Sequence, residues 1–539
     1  MSRATAALLA VSLAAGPGVL VPTMATAMAP TAQAGPVPDA PPLPAVPAGF
    51  RDDVVASVGA PTALAFTPDG RMLVTTQGGT VRVIKDQTLM PTAALDLSGQ
   101  ICSNSERGLL GVAVDPEFAS NGYVFLYYSF RKTAVCDSTT VNRVSRFVMD
   151  GDTLAGEVVL IDNIPSPAGN HNAGDLDFGK DGLLYASVGD GGCDYPGGTP
   201  SGCGGNNDAA RDEHALVGKV LRVDRDGGVP ATNPFQGPGT ARCHQSGVVA
   251  AGLKCQETFA WGLRNPFRMA FDPNDAGTRF YVNDVGQSTW EEVNLATAGA
   301  DYGWNVREGP CARGSTSDCG LPPAGMVNPV YAYGHGDGCR SITGGAFVPD
   351  GLWPAEYHGK YLFADYVCGR IFRLDPDGSG GFTRVDFATG LGGGSAVHLR
   401  FGPYRSTQAL YYTTYAGGGQ VRRIARSSDV PAVEVIGFTW YRDGAASASG
   451  PSPTAISLYG TGLKASTAYR LVTAPPEAEA HLTCSRNLQA VNATVRMSSS
   501  TGFIPVTGGP VGRPPGTWNV CWRSIDGTSA SAPVSFTVG

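Results

Sequence analysis

Charge is scarce in this 539-residue chain: Asp, Glu, Lys and Arg make up 16% of it, with a formal net charge of −7. A duplex-DNA or RNA binder carries a basic stripe. Here the basic residues are scattered, so no nucleic-acid partner is expected. Long apolar runs are also missing. Beyond the N-terminus none approaches the ~20 residues that span a bilayer, so no transmembrane segment is expected. There is no CxxC pair, which leaves zinc a weak reading of the cysteines. No GxGxxG stands between a strand and a helix, so nicotinamide bound on a Rossmann turn is not expected. EF-hand spacing is absent too.

What is abundant is helix-breaking. The 73 Gly and 40 Pro are about a fifth of the chain, a load that a helical bundle does not carry. The glycines have no period of three, which excludes collagen. Apolar residues at 42% supply a real core.

The chain opens Met1-Ser2-Arg3, continues uncharged from Ala4 to Leu13, and reaches Ala32-Gln33-Ala34. A basic start, an apolar stretch and a small-x-small site read as a secretory signal peptide over 1–34, with cleavage after Ala27 an alternative. The plainer reading is a disordered tail. Export predicts a secreted or periplasmic protein, and the twelve cysteines agree, because disulfides persist in oxidising compartments. Sequence neighbours suggest 102–136, 193–203, 243–255, 311–319, 339–368 and 484–521, although spacing alone does not decide connectivity.

A Pro/Ala-rich linker covers 35–49. After it, strand–turn–strand units recur: Leu64–Ile84, Gly111–Phe130, Gly174–Asp190, Met269–Gly286, Gly359–Asp375 and His398–Ile424. Each pairs period-two strands across an Asp-Gly or similar turn. One such unit cannot bury both faces alone, but radial stacking can. The expected class is all-β: a six-bladed β-propeller over 50–426, a linker at 427–432, and an immunoglobulin-like β-sandwich over 433–539 built from seven short strands. Nothing in that last domain looks catalytic, and its partner is open.

Three segments hold candidate chemistry. His171 lies in Gly169-Asn170-His171-Asn172-Ala173-Gly174-Asp175, a polar loop before a blade strand. An imidazole there can take a proton from an alcohol, oriented by Asp175 or Asp190; the alternative is a His that only caps a turn. Arg264 lies in Trp261-Gly262-Leu263-Arg264-Asn265-Pro266-Phe267. A fixed guanidinium there can grip a carboxylate or stabilise an oxyanion, or else tie two blades together. Asn283–Asn294 and Asp301–Asn305 are dense in carboxylates, amides and Gly, which suits either a hard cation or solvated turns.

Together, Glu106–Gly111, the His171 loop, Gly218–Arg222, Arg264–Pro266, Glu291–Asn294 and Asp301–Trp304 resemble the soluble quinoprotein glucose/sorbosone dehydrogenase family, aldose sugar dehydrogenases included. The resemblance covers about residues 50–426. It implies a six-bladed propeller holding pyrroloquinoline quinone (PQQ) and Ca2+ in its central cleft. It implies His171 as catalytic base, with Arg264 and Asn265 beside the quinone. Glu106 stands where the glucose-specific branch has Gln. Gly286 and Gln287 match backbone ligands of the cofactor-bound calcium, Gln287 replacing the usual Pro. Glu292 and the Tyr302 backbone match a second, structural calcium site. The segment Tyr333–Gly345 looks like the sorbosone-dehydrogenase and hedgehog-interacting-protein side of the superfamily. There Arg340 is the candidate counter-charge for the cofactor's carboxylates, with Arg422 a weaker one.

The resemblance therefore implies oxidation of a sugar or polyol, with electrons leaving to an external acceptor. The alternative is a non-enzymatic, calcium-stabilised propeller that binds an extracellular ligand. A propeller hydrolase such as a lactonase ranks last, because no carboxylate–amide calcium cluster is evident on the axis.

Overall fold

Alternation of apolar and polar residues lets a strand bury one face, whereas a strand enclosed on both sides reads as continuously apolar or small. The innermost strands are of the second kind, and they set the architecture. The computed structural model describes residues 44–415 and 418–427, and beyond them the backbone of eight strands between Glu434 and Val538.

Six four-stranded antiparallel units follow one another. Blade 1 runs from Pro61–Phe66 outward to Thr88–Leu89, with Leu95–Asp96 added at its third strand. Blade 2 comprises Leu109–Val114, Tyr123–Phe130, Val141–Asp150 and Thr153–Pro165. Blade 3 comprises Leu176–Phe178, Leu184–Val188, Lys219–Val223 and Thr258–Trp261. Blade 4 comprises Pro266–Phe271, Phe280–Asp284, Trp290–Leu295 and Tyr331–Gly334. Blade 5 comprises Ile342–Phe347, Tyr361–Asp365, Arg370–Pro376 and Phe382–Ala388. Blade 6 takes Ser395–Tyr404, Thr407–Thr414 and Gln420–Arg426 from the end of the ring, and Phe50–Ser57 from its start. Phe50 pairs with Arg426, so the ring is closed by its own first strand. Each innermost strand touches the next around a complete circle. A buried apolar cluster fills each of the six gaps between blades. The protein has a six-bladed β-propeller core.

Five repeat units read in the sequence coincide with the first two strands of a blade or extend beyond them. Gly359–Asp375 instead supplies the second and third strands of blade 5, whose first strand is Ile342–Phe347. That strand, ITGGAF, is buried along its whole length and has no alternation to detect. The closing strand Phe50–Ser57 was also not anticipated, because its sequence partner is more than 350 residues away.

Polar side chains tie the inner strands across the blade gaps. Thr62 Oγ1 donates to Leu109 O (2.6 Å), Arg268 Nη2 to Thr62 O (2.7 Å) and Asn283 Nδ2 to Thr343 O (2.8 Å). Thr343 Oγ1 donates to Ala396 O (2.9 Å), and the Leu64 N–H to His398 Nδ1 (3.1 Å). Buried polar groups need partners; four of these bonds join neighbouring blades, and Arg268 reaches across the ring from blade 4 to blade 1. The loops above these strands are therefore carried on a rigid ring.

Among the described residues five disulfides are formed: 102–136, 193–203, 243–255, 311–319 and 339–368, pairs suggested by sequence neighbours. Cys484 lies outside the described residues, as do the expected signal peptide and most of the expected linker. Within 35–49, Ala45 forms an antiparallel bridge with Thr389. No helix among the described residues is long and apolar enough to cross a membrane. The chain ends in a small additional all-β domain of two four-stranded sheets. One runs Ala445–Ser447, Glu434–Arg442, Ala455–Thr461 and Gly502–Thr507; the other Gln489–Arg496, Ala468–Ala474, Gly516–Ser524 and Val534–Val538. Two of these strands, Ala445–Ser447 and Gly502–Thr507, were not among the seven expected, and the expected strand 481–484 lies outside the described residues.

Candidate active site

Loops and strand ends from all six blades meet around one cleft of about 510 Å³. Five of the residues singled out in the sequence line it: Glu106, His171, Arg264, Asn265 and Gly286.

His171 sits in a left-handed backbone conformation (φ 50°), as does Ala173 (φ 50°). Such angles are uncommon outside Gly and need external support. Here the support is specific. The His171 N–H donates to Glu106 Oε2 (2.7 Å), and the Ala173 N–H to Asn265 Oδ1 (3.1 Å). The His171 carbonyl presses against Gly189, where a Cβ would lie 2.0 Å from the oxygen.

The His171 ring is fixed through Nδ1, 2.6 Å from Asp190 Oδ1. An ionised carboxylate only accepts, so Nδ1 carries the proton and Nε2 is left as the basic nitrogen. Asp190 is held in turn by the Gly192 N–H (2.8 Å, to Oδ1) and by Trp304 Nε1–H (2.8 Å, to Oδ2). Of the two acids considered in the sequence, Asp190 orients the ring. Asp175 instead lies in the inner ring and accepts the Met269 N–H (2.8 Å). Burial pushes its carboxyl up to about 6, against the nearby Arg268 charge.

The Arg264–Asn265 turn is built on Asp284, whose two oxygens accept the Arg264 N–H (3.0 Å) and the Asn265 N–H (2.7 Å). Burial, helped by neighbouring Glu292, raises the Asp284 carboxyl well above its ordinary range. The Arg264 guanidinium donates through Nη1 to Val285 O (2.9 Å) and lies over the Trp304 ring (5.6 Å). Nε and Nη2 both donate to Gln287 Oε1. Among the described residues no carboxylate forms an ion pair with Arg264, so its charge is uncompensated at the cleft. The Asp190 N–H donates to Arg264 O (2.8 Å), so one aspartate joins the imidazole loop to the guanidinium turn.

The other candidates lie apart from the cleft wall. Arg340 is exposed, while its neighbours Ser341 and Thr343 line the cleft. Arg422 pairs with Asp52 (2.6 Å), joining the third strand of blade 6 to its outermost one. Glu292 is buried on the third strand of blade 4, outside the cleft lining. Its oxygens accept the Gly309 N–H (2.6 Å) and Asn294 Nδ2–H (2.9 Å), and burial first of all lifts it to about 7. Tyr302 is packed against blade 3, its N–H donating to Trp261 O (3.0 Å).

Four residues important to this geometry had no flag in the sequence. Trp304 and Asp284 stood in quoted segments without a role. Arg268 reads as an ordinary strand residue, and Glu308 lies in a hairpin between the Asp301–Asn305 and Tyr333–Gly345 segments. Glu308 is almost wholly buried, and its Oε1 accepts the N–H groups of Gln287, Ser288, Thr289 and Trp290. No side-chain pattern announces partners that are backbone amides.

The donor set suits the cofactor that the resemblance implies. Two guanidiniums line the cleft with the hydroxyls of Ser341, Tyr366 and Tyr415: Arg264, and Arg268, which lies 3.9 Å from Asp175. These supply counter-charge and donors for an acidic planar ligand. Glu106 and the Gly286 backbone supply oxygens suited to a hard cation. The cluster Cys339, Asp365 and Cys368 has metal-like spacing, but both sulfurs are in a disulfide and Asp365 accepts the Ser341 N–H (2.8 Å), which excludes a metal there.

A family profile described as Glucose / Sorbosone dehydrogenase matches residues 58–392. The HIPL2 protein of Arabidopsis thaliana is 29% identical over 353 residues, covering 54% of this chain and 47% of that one. Quinoprotein glucose dehydrogenase B of Acinetobacter calcoaceticus is 28% identical over 269 residues, covering 47% and 51% respectively. Among solved structures, the PQQ-bound aldose sugar dehydrogenase of Streptomyces coelicolor aligns at 25% identity with a TM-score of 0.50, over 71% of this chain and 100% of that one. The chain spans about half the length of these two curated relatives.

Proposed function

The chain belongs to the glucose/sorbosone dehydrogenase family, and from that membership we propose that it oxidises a sugar or related polyol and hands the electrons to an external acceptor. PQQ, when bound with Ca2+, supplies the hydride acceptor. The protein's part is to bind, orient and move a proton. His171 Nε2 takes the proton of the substrate hydroxyl while Nδ1–H stays on Asp190, which stabilises the imidazolium as it forms. Arg264 presents an uncompensated positive charge where negative charge grows. Glu106 and Asn265 hold the two loops in register. Arg264, Asn265 and Arg268 would hold the quinone, and the Gly286 and Gln287 carbonyls its calcium, with Glu292 and Tyr302 serving a second calcium.

The observation that carries this reading is the Asp190 junction, which places an oriented base and an unpaired guanidinium over one cavity. The five disulfides support an oxidising, extracytoplasmic location. The test is to add PQQ and Ca2+ to purified protein with a dye acceptor and a sugar panel. Dye reduction that is lost in His171→Ala is expected. Absence of any dye reduction, with PQQ bound, overturns the reading.

One observation favours a second reading. Arg340 is exposed, leaving two cleft guanidiniums for a cofactor with three acidic groups. A calcium-stabilised binding propeller needs no more than that. Folded protein that takes up no PQQ decides for it.

A further inference from the structure

Residues 286–290 form the turn between the second and third strands of blade 4, and four consecutive amides of this turn point at one atom. The N–H groups of Gln287 (2.9 Å), Ser288 (2.8 Å), Thr289 (2.8 Å) and Trp290 (3.2 Å) all reach Glu308 Oε1. A trans peptide is planar, with C=O opposed to N–H, and none of these bonds is cis. Gathering the four N–H groups inward therefore turns four carbonyls outward, those of Gly286, Gln287, Ser288 and Thr289. Gly286, the first of them, lines the cleft.

Glu308 is held for this purpose alone. It is 1% exposed, and its second oxygen, Oε2, has no hydrogen-bond partner. Among the described residues no cation forms an ion pair with it. A buried carboxylate in that state is costly unless its charge is otherwise satisfied. The four amides satisfy it. Its backbone is equally constrained. Glu308 pairs with Cys311 in a short hairpin, and Cys311 is tied onward to Cys319 by a disulfide. Gly309 follows at φ 63°, where a Cβ would lie 2.6 Å from the Trp290 ring. On the other side of the turn, a Cβ on Gly286 would lie 1.6 Å from Trp290 O. The turn and the carboxylate inside it fit in one arrangement.

We propose that Glu308 is a positioning residue that, by holding this turn, aims the Gly286 and Gln287 carbonyls as oxygen ligands for a hard divalent cation at the cleft wall. The proposal rests on the quinoprotein reading for the identity of the cation as calcium. Its chemistry is that of a ligand set without side-chain charge, in which neutral carbonyls face the ion and the negative charge sits one layer behind. Residues of that kind change metal affinity by about 10- to 100-fold when removed.

The experiment uses terbium(III), a hard oxygen-seeking ion whose luminescence nearby tryptophans sensitise, titrated into the quinone-free full chain and competed with calcium. Trp290 lies in the turn itself. Wild type shows a sensitised site that calcium displaces. Glu308→Leu weakens that site by about tenfold or more. Glu308→Gln keeps an oxygen acceptor for the amides and recovers most of the affinity, which a general loss of packing would not do. Thermal unfolding of each variant confirms that it is folded, and Glu308→Ala, which also removes the acceptor but adds no bulk, carries the test if the Leu variant is not. Terbium binding in Glu308→Leu equal to wild type overturns the proposal, as does absence of the site in wild type. Because no quinone is present, failure of PQQ uptake or dye reduction bears on the functional reading and not on this one.

Discussion

Gln287 Oε1 accepts two hydrogen bonds from Arg264, from Nε at 3.2 Å and Nη2 at 2.9 Å. A proline at that position, the residue the resemblance leads one to expect, has no side chain that accepts them. The departure thus places a neutral acceptor where it aims the guanidinium without cancelling its charge. Gln287→Leu removes the acceptor and leaves only Val285 O. A hydrogen bond to a charged group is worth about 1.5–3 kcal/mol. We therefore expect dye-linked kcat/KM to fall by about tenfold or more in the PQQ- and Ca2+-loaded protein. The unfolding temperature should stay near wild type, since Glu308 still holds the loop. Unchanged kcat/KM would show that Val285 alone positions Arg264.

Asp190 is expected to matter nearly as much as His171. Asp190→Asn keeps the size but offers the ring an amide, so the tautomer with Nδ1–H is no longer enforced. General-base catalysis contributes about 10²–10⁴-fold, and dye reduction should drop within that range. Trp304→Phe removes the N–H on Asp190 Oδ2 and leaves a smaller aromatic ring near Arg264. Its loss should be smaller and fall mainly on kcat. Equal activity in Asp190→Asn and wild type would remove His171 from the role of base.

Gly189→Ala tests whether backbone strain at His171 is supported from behind. The new Cβ would lie 2.0 Å from the His171 carbonyl, in a rigid strand end that cannot retreat. Displacing the His171 loop breaks the contact to Glu106 and tilts the ring off Asp190. We expect activity to fall at least tenfold, because near-attack geometry is lost with shifts of about 1 Å. The propeller should remain folded by circular dichroism.

How much of this was legible in the sequence follows from what each feature depends on. Blade hairpins were readable because alternation and Asp-Gly turns are local. The disulfides were readable because each pairs with a near neighbour in the chain. The His171 and Arg264 loops stood out because their polar residues interrupt apolar strands. The ring closure by Phe50–Ser57 and the inner strand Ile342–Phe347 were not readable. The first depends on a pairing across the whole domain, and the second has no exposed face to produce alternation. Arg340 was chosen for its charge beside a motif, yet the side chains turned to the cleft are its neighbours Ser341 and Thr343. Glu308 was missed because its partners are amides, which every residue but proline carries.

The 339–368 disulfide links the two loops that bring Ser341 and Tyr366 to the cleft. Its sequence separation of 29 residues corresponds to about 3–4 kcal/mol on the chain-entropy scale. Paired Cys339→Ser and Cys368→Ser substitutions should lower denaturant stability by that order. They should also weaken PQQ uptake by the folded protein, measured by fluorescence quenching. A double variant as stable as wild type would mean that the Asp365 hydrogen bonds alone fix both loops.

His335 gives a pH prediction with a definite sign. Its Nε2 lies 2.9 Å from Glu291 Oε1, and this hydrogen bond, against partial burial, raises the imidazole pKa above 6.5. Glu308 and Asp365 add to the same effect. A histidine whose folded pKa exceeds its unfolded one stabilises fully below the unfolded value, and that contribution is lost as pH rises through the folded value. Denaturant stability should therefore fall as pH rises from 6.5 through that raised value. Glu291 is shifted upward too, by burial, so ionising it while folded is penalised in a separate, more acidic window above 4.5. His335→Gln should flatten the upper window and, because the His335 bond and charge hold Glu291 down, extend the lower one upward. The difference between the two proteins should be largest below pH 6.5 and shrink above it. A constant difference at all pH values would mean that His335 packs but does not pair. Because Glu291 Oε2 also accepts the Ile342 N–H (2.9 Å) at the entry to blade 5, the same variant should loosen the Ser341–Thr343 wall of the cleft. A rise in the KM for the sugar as pH passes through the upper window in wild type, absent from His335→Gln, would be the functional trace of that coupling.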